Sequence, residues 1–373
     1  MPAKSPSPIR RIAITTGGGD APGLNSVIYA VTRAAEHQGW DCLGIRDGYD
    51  GLLRPERFPG GGCMPLTAER VEGIAGLGGT LLGSTNKGDP FAFPTPQADG
   101  GMLLCDRSQD VLDALAHEGV DALVAVGGDG SLAIAHRFAQ RGLKVVGLPK
   151  TIDNDLAHTA TTFGFDTAVD FATDCIDRLH TTAASHHRIL VVEVMGRYAG
   201  WIALHAGLAG GAHVILLPEL PFNLDIVADL IRRRDARGMA YSIVVVAEGA
   251  RQLGGKRMVV APAGAGHAER LGGVGEQVTT ELAQLTGKDS RCVVLGHLLR
   301  GGSPTAFDRV AALRFGTAAV RSLAAGQSDI MVALDGNEVR AVPLAEVAGR
   351  MKVVPVDGDT VATARALGIC LGA

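Results

Sequence analysis

The segment PKTIDND (149–155) puts one lysine and two carboxylates in seven residues, directly after the apolar run Val145, Val146, Gly147 and Leu148. Asp153 and Asp155 lie two apart, so an extended backbone would turn both to the same side. Two like charges held close perturb each other's proton affinity. That suits one as a base accepting an alcohol proton and the other as an organiser of metal or water. Lys150 supplies a charge that neutralises phosphate oxygens. The same residues could instead make an Asx-rich turn.

Two glycine clusters suggest where a phosphate would rest. GGGDAPG (17–23) and GGDGS (127–131) each follow an apolar run. Glycine lets backbone N–H groups approach an anion closely, and a helix N-terminus adds a favourable dipole. Asp129, between glycines, is the single carboxylate that Mg²⁺ takes when phosphates and water complete its shell. The alternative is a pair of tight strand–helix turns capped by Asp20 and Asp129, with Pro22 in a first helical turn. No GxxxxGK[ST] occurs, so neither cluster is a P-loop. Arg188, Arg197, Arg291, Arg300 and His297 stand near the ends of apolar runs, and arginine forks hold phosphate. Glu248 follows another such run and could accept sugar hydroxyls or cap a helix.

The elements that must position these groups are short Val- and Ile-rich runs at 12–16, 122–126, 145–148, 189–194, 213–217, 243–247 and 292–295. Continuous apolarity predicts strands buried on both faces, as in a parallel sheet. Between them, Leu24, Val27, Ile28 and Val31 recur at helical spacing. So do Val169, Ala172, Ile176 and Leu179, with Asp166, Asp170, Asp174 and Asp177 on a solvated side. Alternating strand and helix predicts α/β layers with right-handed crossovers. Each polar cluster follows a strand, and the carboxyl edge of such a sheet is where ligands bind.

Composition narrows the function. The chain has 373 residues, 46% of them hydrophobic, and a net charge of -4. That allows a large core in one or two domains and gives no basic face for nucleic acid or anionic membrane. No apolar run is long enough to span a bilayer. MPAKSPSPIRR lacks the apolar stretch of a secretory signal, so residues 1 to 9 are expected to be a loose tail. The six scattered cysteines show no metal spacing and read as reduced, buried thiols of a cytoplasmic protein.

GGGDAPGLN, GGDGS, PKTIDND, SHHRILVVEVMGRYAG, AEG and RCVVLGHLLRGGSP occur in the order found in 6-phosphofructokinases, and the chain resembles that family over residues 11 to 310. The resemblance implies two doubly wound, Rossmann-like α/β domains with mostly parallel sheets and an active site in the cleft between them. Residues 1–164 plus 299–350 would bind nucleotide, and 165–298 plus 351–373 the sugar phosphate. The implied reaction is ATP-dependent, Mg²⁺-assisted phosphorylation of fructose 6-phosphate at its 1-hydroxyl, giving fructose 1,6-bisphosphate and ADP. Asp153 would be the base, with Thr151 and Arg197 beside it. Gly18, Asn86, Lys87, Gly128, Asp129, Gly130 and Ser131 would form the nucleotide site, with Asp129 the metal ligand. Thr151, Ile152, Met195, Gly196, Arg197, Glu248, His297 and Arg300 would hold the sugar phosphate. Arg188 and Arg291 match arginines that the family supplies from a neighbouring subunit, which implies a homo-oligomer, a homotetramer, with shared active sites.

Two positions bear on the phosphoryl donor. In similar enzymes Gly at the place of Gly130 goes with ATP and Asp there with pyrophosphate. Lys150 resembles the pyrophosphate-using enzymes. Steric access at Gly130 favours ATP, and a pyrophosphate-dependent phosphotransferase is the alternative. Asn86 stands where the common bacterial enzyme has an arginine bridging both substrates, and Lys87 or Lys150 would replace that charge. The presence of Asp129 and Asp153 counts against a catalytically silent regulatory subunit. An NAD or lipid kinase would share the GGDG loop but lack PKTIDND and MGR.

Overall fold

The computed structural model describes residues 9–96, 100–261 and 270–373. All but Ile9 of the expected N-terminal tail lies outside these. Val and Ile in unbroken runs favour extended backbone that packs on both faces. The runs build two sheets. The larger has strands in the order Glu338–Pro343, Ile330–Asp335, Lys144–Pro149, Ala122–Gly127, Arg11–Thr16, Asp41–Ile45 and Cys63–Leu66. Its five inner strands are parallel, and both edge strands are antiparallel to their neighbours. The smaller sheet is all parallel, in the order Ser290–Val294, Ile189–Val194, Ser242–Ala247 and Val214–Leu216.

Side-chain alternation sends successive residues of each strand to opposite cores. From Arg11–Thr16, Ile12 and Ile14 pack under the helices Leu24–His37 and Ala306–Ala324, while Ala13 faces the side covered by Ser108–His117 and Asp129–Gln140. From Ile189–Val194, Leu190, Val192 and Val194 meet the helices Phe165–His186 and Trp201–Ala209. Ile189 and Val191 meet Leu224–Ala236 and Val274–Thr286. Both sheets are therefore covered on both faces, the doubly wound arrangement that the resemblance implies.

The chain crosses between the sheets more than once. After the smaller sheet it returns as Ala306–Ala324, which lies so close to Leu24–His37 that a Cβ on Gly316 would sit 2.7 Å from Ala30 Cβ. It then adds Ile330–Asp335 and Glu338–Pro343 to the larger sheet. Finally Asp359–Ala366 packs Val361 and Ala364 into the core of the smaller one. The acidic side of Phe165–His186 is not wholly solvated, because Asp166 accepts the Thr305 hydroxyl at 2.6 Å. Among the described residues, no helix is long and apolar enough to cross a membrane.

Candidate active site

The loop leaving Arg11–Thr16 is stitched to two neighbours. Gly17 N–H donates to Val126 O at 2.9 Å, Gly18 N–H donates to Thr85 O at 2.9 Å, and Ser84 Oγ donates to Gly18 O at 2.6 Å. Gly18 holds φ +79°, and a Cβ there would lie 3.5 Å from Lys150 Nζ and 3.6 Å from Ser131 Oγ. The glycines of the first cluster thus make room for side chains of the second and third. The turn is not capped by Asp20. The helix starts later, at Leu24, from Gly23 at φ 100°, and Pro22 precedes it. The exposed Asn86 and Lys87 follow Thr85 along the rim, where Lys87 N–H donates to Thr85 Oγ1 at 3.1 Å.

GGDGS does open a helix, Asp129–Gln140, with Gly128 as its cap. Asp129 Oδ1 accepts Gly349 N–H at 2.8 Å. Gly130 is exposed, and open space surrounds the position a Cβ would take.

PKTIDND is a turn rather than the extended segment expected from the sequence. Asn154 sits at φ 51°, its Oδ1 accepting Thr162 N–H at 3.2 Å, and Thr151 Oγ1 accepts Asp153 N–H at 3.1 Å. The turn, tied by the Thr151 hydroxyl, and the chemical cluster are therefore one structure. The two carboxylates still share a neighbourhood. Asp155 is pushed up to about 6, first by burial, then by Asp153, with Asp129 adding to it. Asp153 is also raised by burial, against the opposing charges of Arg300, Arg197 and Lys150, and its Oδ1 is shut off from solvent with no hydrogen-bond partner. Lys150 is 2% exposed. Its ammonium donates to Gly19 O and is pushed down to about 7, chiefly by burial and also by Arg300. Ile152 is fully buried, so it can offer a substrate only its backbone.

From the smaller sheet come MGR and Glu248. Gly196 holds φ +143°, and a Cβ there would meet Ala199 O at 2.8 Å. Gly249 N–H donates to Gly196 O at 3.1 Å, and the missing Cβ of Gly249 leaves space for the Arg197 carbonyl. Met195 is 8% exposed. Arg300, at the end of the turn Gly296–Arg300, donates to Asp20 O at 3.0 Å and lies against Gly19. It thereby joins the two sheets across the cleft. His297, on the same turn, is exposed.

Glu248 caps no helix. It is pushed up to about 7 by burial first and by Asp153, opposed by Arg197 and Arg300. A carboxyl whose folded value exceeds its ordinary 4.5 takes up a proton on folding between about pH 4.5 and 7, so stability falls as pH rises through that window. Glu248→Gln should therefore stabilise the ligand-free protein at pH 8 by on the order of 1 kcal/mol and give no gain at pH 4. Thermal unfolding of both proteins across that range checks it. A gain of equal size at both pH values would exclude the charge as its cause.

Arg188 and Arg291 are not brought to this edge. They stand at the amino ends of their strands and share Asp289, with Arg188 Nε donating to its Oδ2 at 2.6 Å. A six-residue strand separates Arg188 from MGR, roughly 17–20 Å of chain. Among the described residues, no three His, Cys, Asp or Glu side chains form a metal cage. Mg²⁺ held through one carboxylate and the donor's phosphates needs none. Asp129 at a helix start, near the raised Asp155, is a hard-oxygen donor that fits it.

A model of the family described as phosphofructokinase matches residues 11–323. The chain belongs to the phosphofructokinase family. Relatives include an ATP-dependent 6-phosphofructokinase of Chloroflexus aggregans, 50% identical over 97% of this chain and 98% of that one. A pyrophosphate–fructose 6-phosphate 1-phosphotransferase of Amycolatopsis mediterranei is 51% identical over 93% of this chain and 97% of that one. Among solved structures, phosphofructokinase from Saccharomyces cerevisiae superposes with a TM-score of 0.77 at 30% identity, covering 96% of this chain and 46% of that one. The doubly wound α/β fold is thus that of the family.

Two polar residues stand at the back of the site: Glu219, which follows the run 213–217 as the other polar clusters follow theirs, and Lys352, which the sequence reading missed. Glu219 accepts Gly200 N–H at 3.0 Å and Val354 N–H at 2.8 Å. Lys352 lies under the base loop. The signal for Lys352 was only a lone charge in an apolar stretch, MKVVP.

Proposed function

We propose that the chain transfers the terminal phosphoryl group of ATP to the 1-hydroxyl of fructose 6-phosphate, giving fructose 1,6-bisphosphate and ADP. Family membership supports a 6-phosphofructokinase reaction. The observation that carries the mechanism is the convergence of Asp153, Lys150, Arg197 and Arg300 where the two sheets meet. Asp153, with one buried oxygen unpaired, accepts the hydroxyl proton as the new P–O bond forms. Thr151 holds the Asp153 backbone. Lys150 and Arg197 oppose the negative charge that gathers on the transferred group. Gly18, Gly128, Gly130 and Ser131 cradle the donor, bordered by Asn86 and Lys87. Mg²⁺ at Asp129 supplies neutralisation of the donor's phosphates when bound.

The division of labour follows the sheets. Residues 1–164 plus 299–350 take the nucleotide, and 165–298 plus 351–373 the sugar phosphate. Met195, Gly196 and Glu248 receive the sugar, the Ile152 backbone adds to it, and His297 with Arg300 the 6-phosphate. Arg188 and Arg291 complete a neighbouring copy's site, so the working form is a homo-oligomer, a homotetramer by likeness to the family. Such a glycolytic enzyme works in the cytoplasm.

ATP is favoured by the open space at Gly130. Pyrophosphate remains a second reading because Lys150 is present and a relative at 51% identity carries that name. A coupled assay of fructose 1,6-bisphosphate formation, run with each donor alone, decides between them. Turnover with ATP and none with pyrophosphate is expected, and the reverse would overturn the donor assignment. Activity with neither would leave the silent regulatory subunit.

A further inference from the structure

We propose that Lys352 is a positioning residue, and that residues 351 to 354 form a strap coupling the base loop to the sugar-phosphate loop. The inference rests on the reading of Asp153 as the base. Lys352 Nζ donates to Asn154 Oδ1 at 2.9 Å, Thr159 O at 2.9 Å and Ala160 O at 3.0 Å. An ammonium has three hydrogens, so it is saturated by the turn that leaves PKTIDND. Lys352 backbone N–H donates to Asp155 O at 2.8 Å, and Met351 forms an antiparallel bridge with Leu156. Asn154, flanked by the two aspartates, keeps its left-handed φ of 51° with Lys352 and Thr162 both on its side-chain oxygen. Such a conformation persists only where surrounding bonds over-determine it.

The other side of the strap grips the opposite loop. Lys352 O accepts Trp201 Nε1–H at 2.9 Å, and its ammonium lies 5.4 Å from the Trp201 ring centroid. Trp201 opens the helix that follows Met195–Gly200. Two residues on, Val354 N–H donates to Glu219 Oε1 at 2.8 Å, and that carboxylate also receives Gly200 N–H. Four consecutive residues therefore tie the turn that carries Asp153 to the end of the loop that carries Arg197. Phosphoryl transfer needs these two loops in register, because the acceptor hydroxyl must meet the base while the arginine meets the charge. Burial holds the Lys352 ammonium down to about 8, with Asp155 the nearby charge that opposes the shift.

The test uses the full chain with ATP and fructose 6-phosphate. Lys352→Met is expected to lower kcat about 10- to 100-fold, the scale of a small misplacement of reacting groups. Sugar and ATP KM should move by less than about threefold, since the loss falls on geometry needed in the transition state. Lys352→Arg should recover part of kcat. The chain has two tryptophans. In a Trp40→Phe background the emission of Trp201 should shift on adding fructose 6-phosphate, and Lys352→Met should abolish that shift. A folded Lys352→Met enzyme with kcat within about twofold of the parent, or with only a KM effect, overturns the proposal. Should Lys352→Met not fold, Trp201→Phe removes one bond at the far anchor, and an unchanged kcat there overturns it equally. A parent protein inactive with both substrates instead rejects the functional reading on which the strap depends.

Discussion

Asp153→Ala is expected to lower turnover by about 10²-fold or more, the scale of general-base assistance, with little change in the KM for fructose 6-phosphate. The physical reason lies in how the carboxylate is held. Burial raises its proton affinity, while Arg300, Arg197 and Lys150 pull it back toward the anion. A base set between those influences can take a proton in the transition state and return it to solvent as product leaves. In the proposed role its unpaired buried oxygen would receive that proton. Asp153→Asn keeps the shape and removes the basicity, so it should fall nearly as far as alanine. Steady-state kinetics at saturating substrates measure both, and a loss below about threefold would remove Asp153 from the role. Mixing tests the shared site as well. Asp153→Ala and Arg291→Ala proteins, each expected to be impaired alone, should regain activity when reassembled together if sites draw each intact residue from a different copy.

Gly130→Asp carries the second large effect. Open space surrounds the missing Cβ at the start of Asp129–Gln140, beside the Asp129 carboxylate. A second carboxylate there would both fill the room needed by the inner phosphates and ribose of a nucleotide and repel their charge. Like-charge juxtaposition of that kind costs about 3 kcal/mol, which is ~10²-fold in kcat/KM for ATP. Pyrophosphate has no part that must pass this point and should lose less. Parallel kinetics with the two donors give the ratio. Undiminished ATP use in the variant would contradict the steric argument, whichever donor the parent prefers.

The sequence disclosed the parts of the fold whose chemistry is local. Strands buried on both faces, such as Ile189–Val194 and Ser242–Ala247, had unbroken apolar runs and were placed almost to the residue. Strands without a long unbroken apolar run were not seen. Asp41–Ile45 contains a glycine, and Glu338–Pro343 is an edge strand with charged, exposed positions. The glycine loops betrayed themselves because only glycine lets Ser131, Lys150 and Arg300 come so near a backbone. PKTIDND yielded its residues but not its shape. The left-handed Asn154 depends on Lys352, 198 residues away, and no local pattern reports such a partner. Arg188 and Arg291 are a different case. Both precede their apolar runs, 189–194 and 292–295, so chain order alone puts them at the amino ends of their strands, away from the carboxyl edge.

The late return of Ala306–Ala324, Ile330–Asp335 and Glu338–Pro343 to the larger sheet, followed by Asp359–Ala366 on the smaller one, constrains how the molecule is born. When residue 300 leaves the ribosome, the first sheet still lacks two strands and the helix roofing Leu24–His37, and the second still lacks its last helix. Neither half can be finished before residues 306–366 have emerged. A chain cut short near residue 300 therefore has two incomplete halves rather than one sound one, each offering open sheet to quality control.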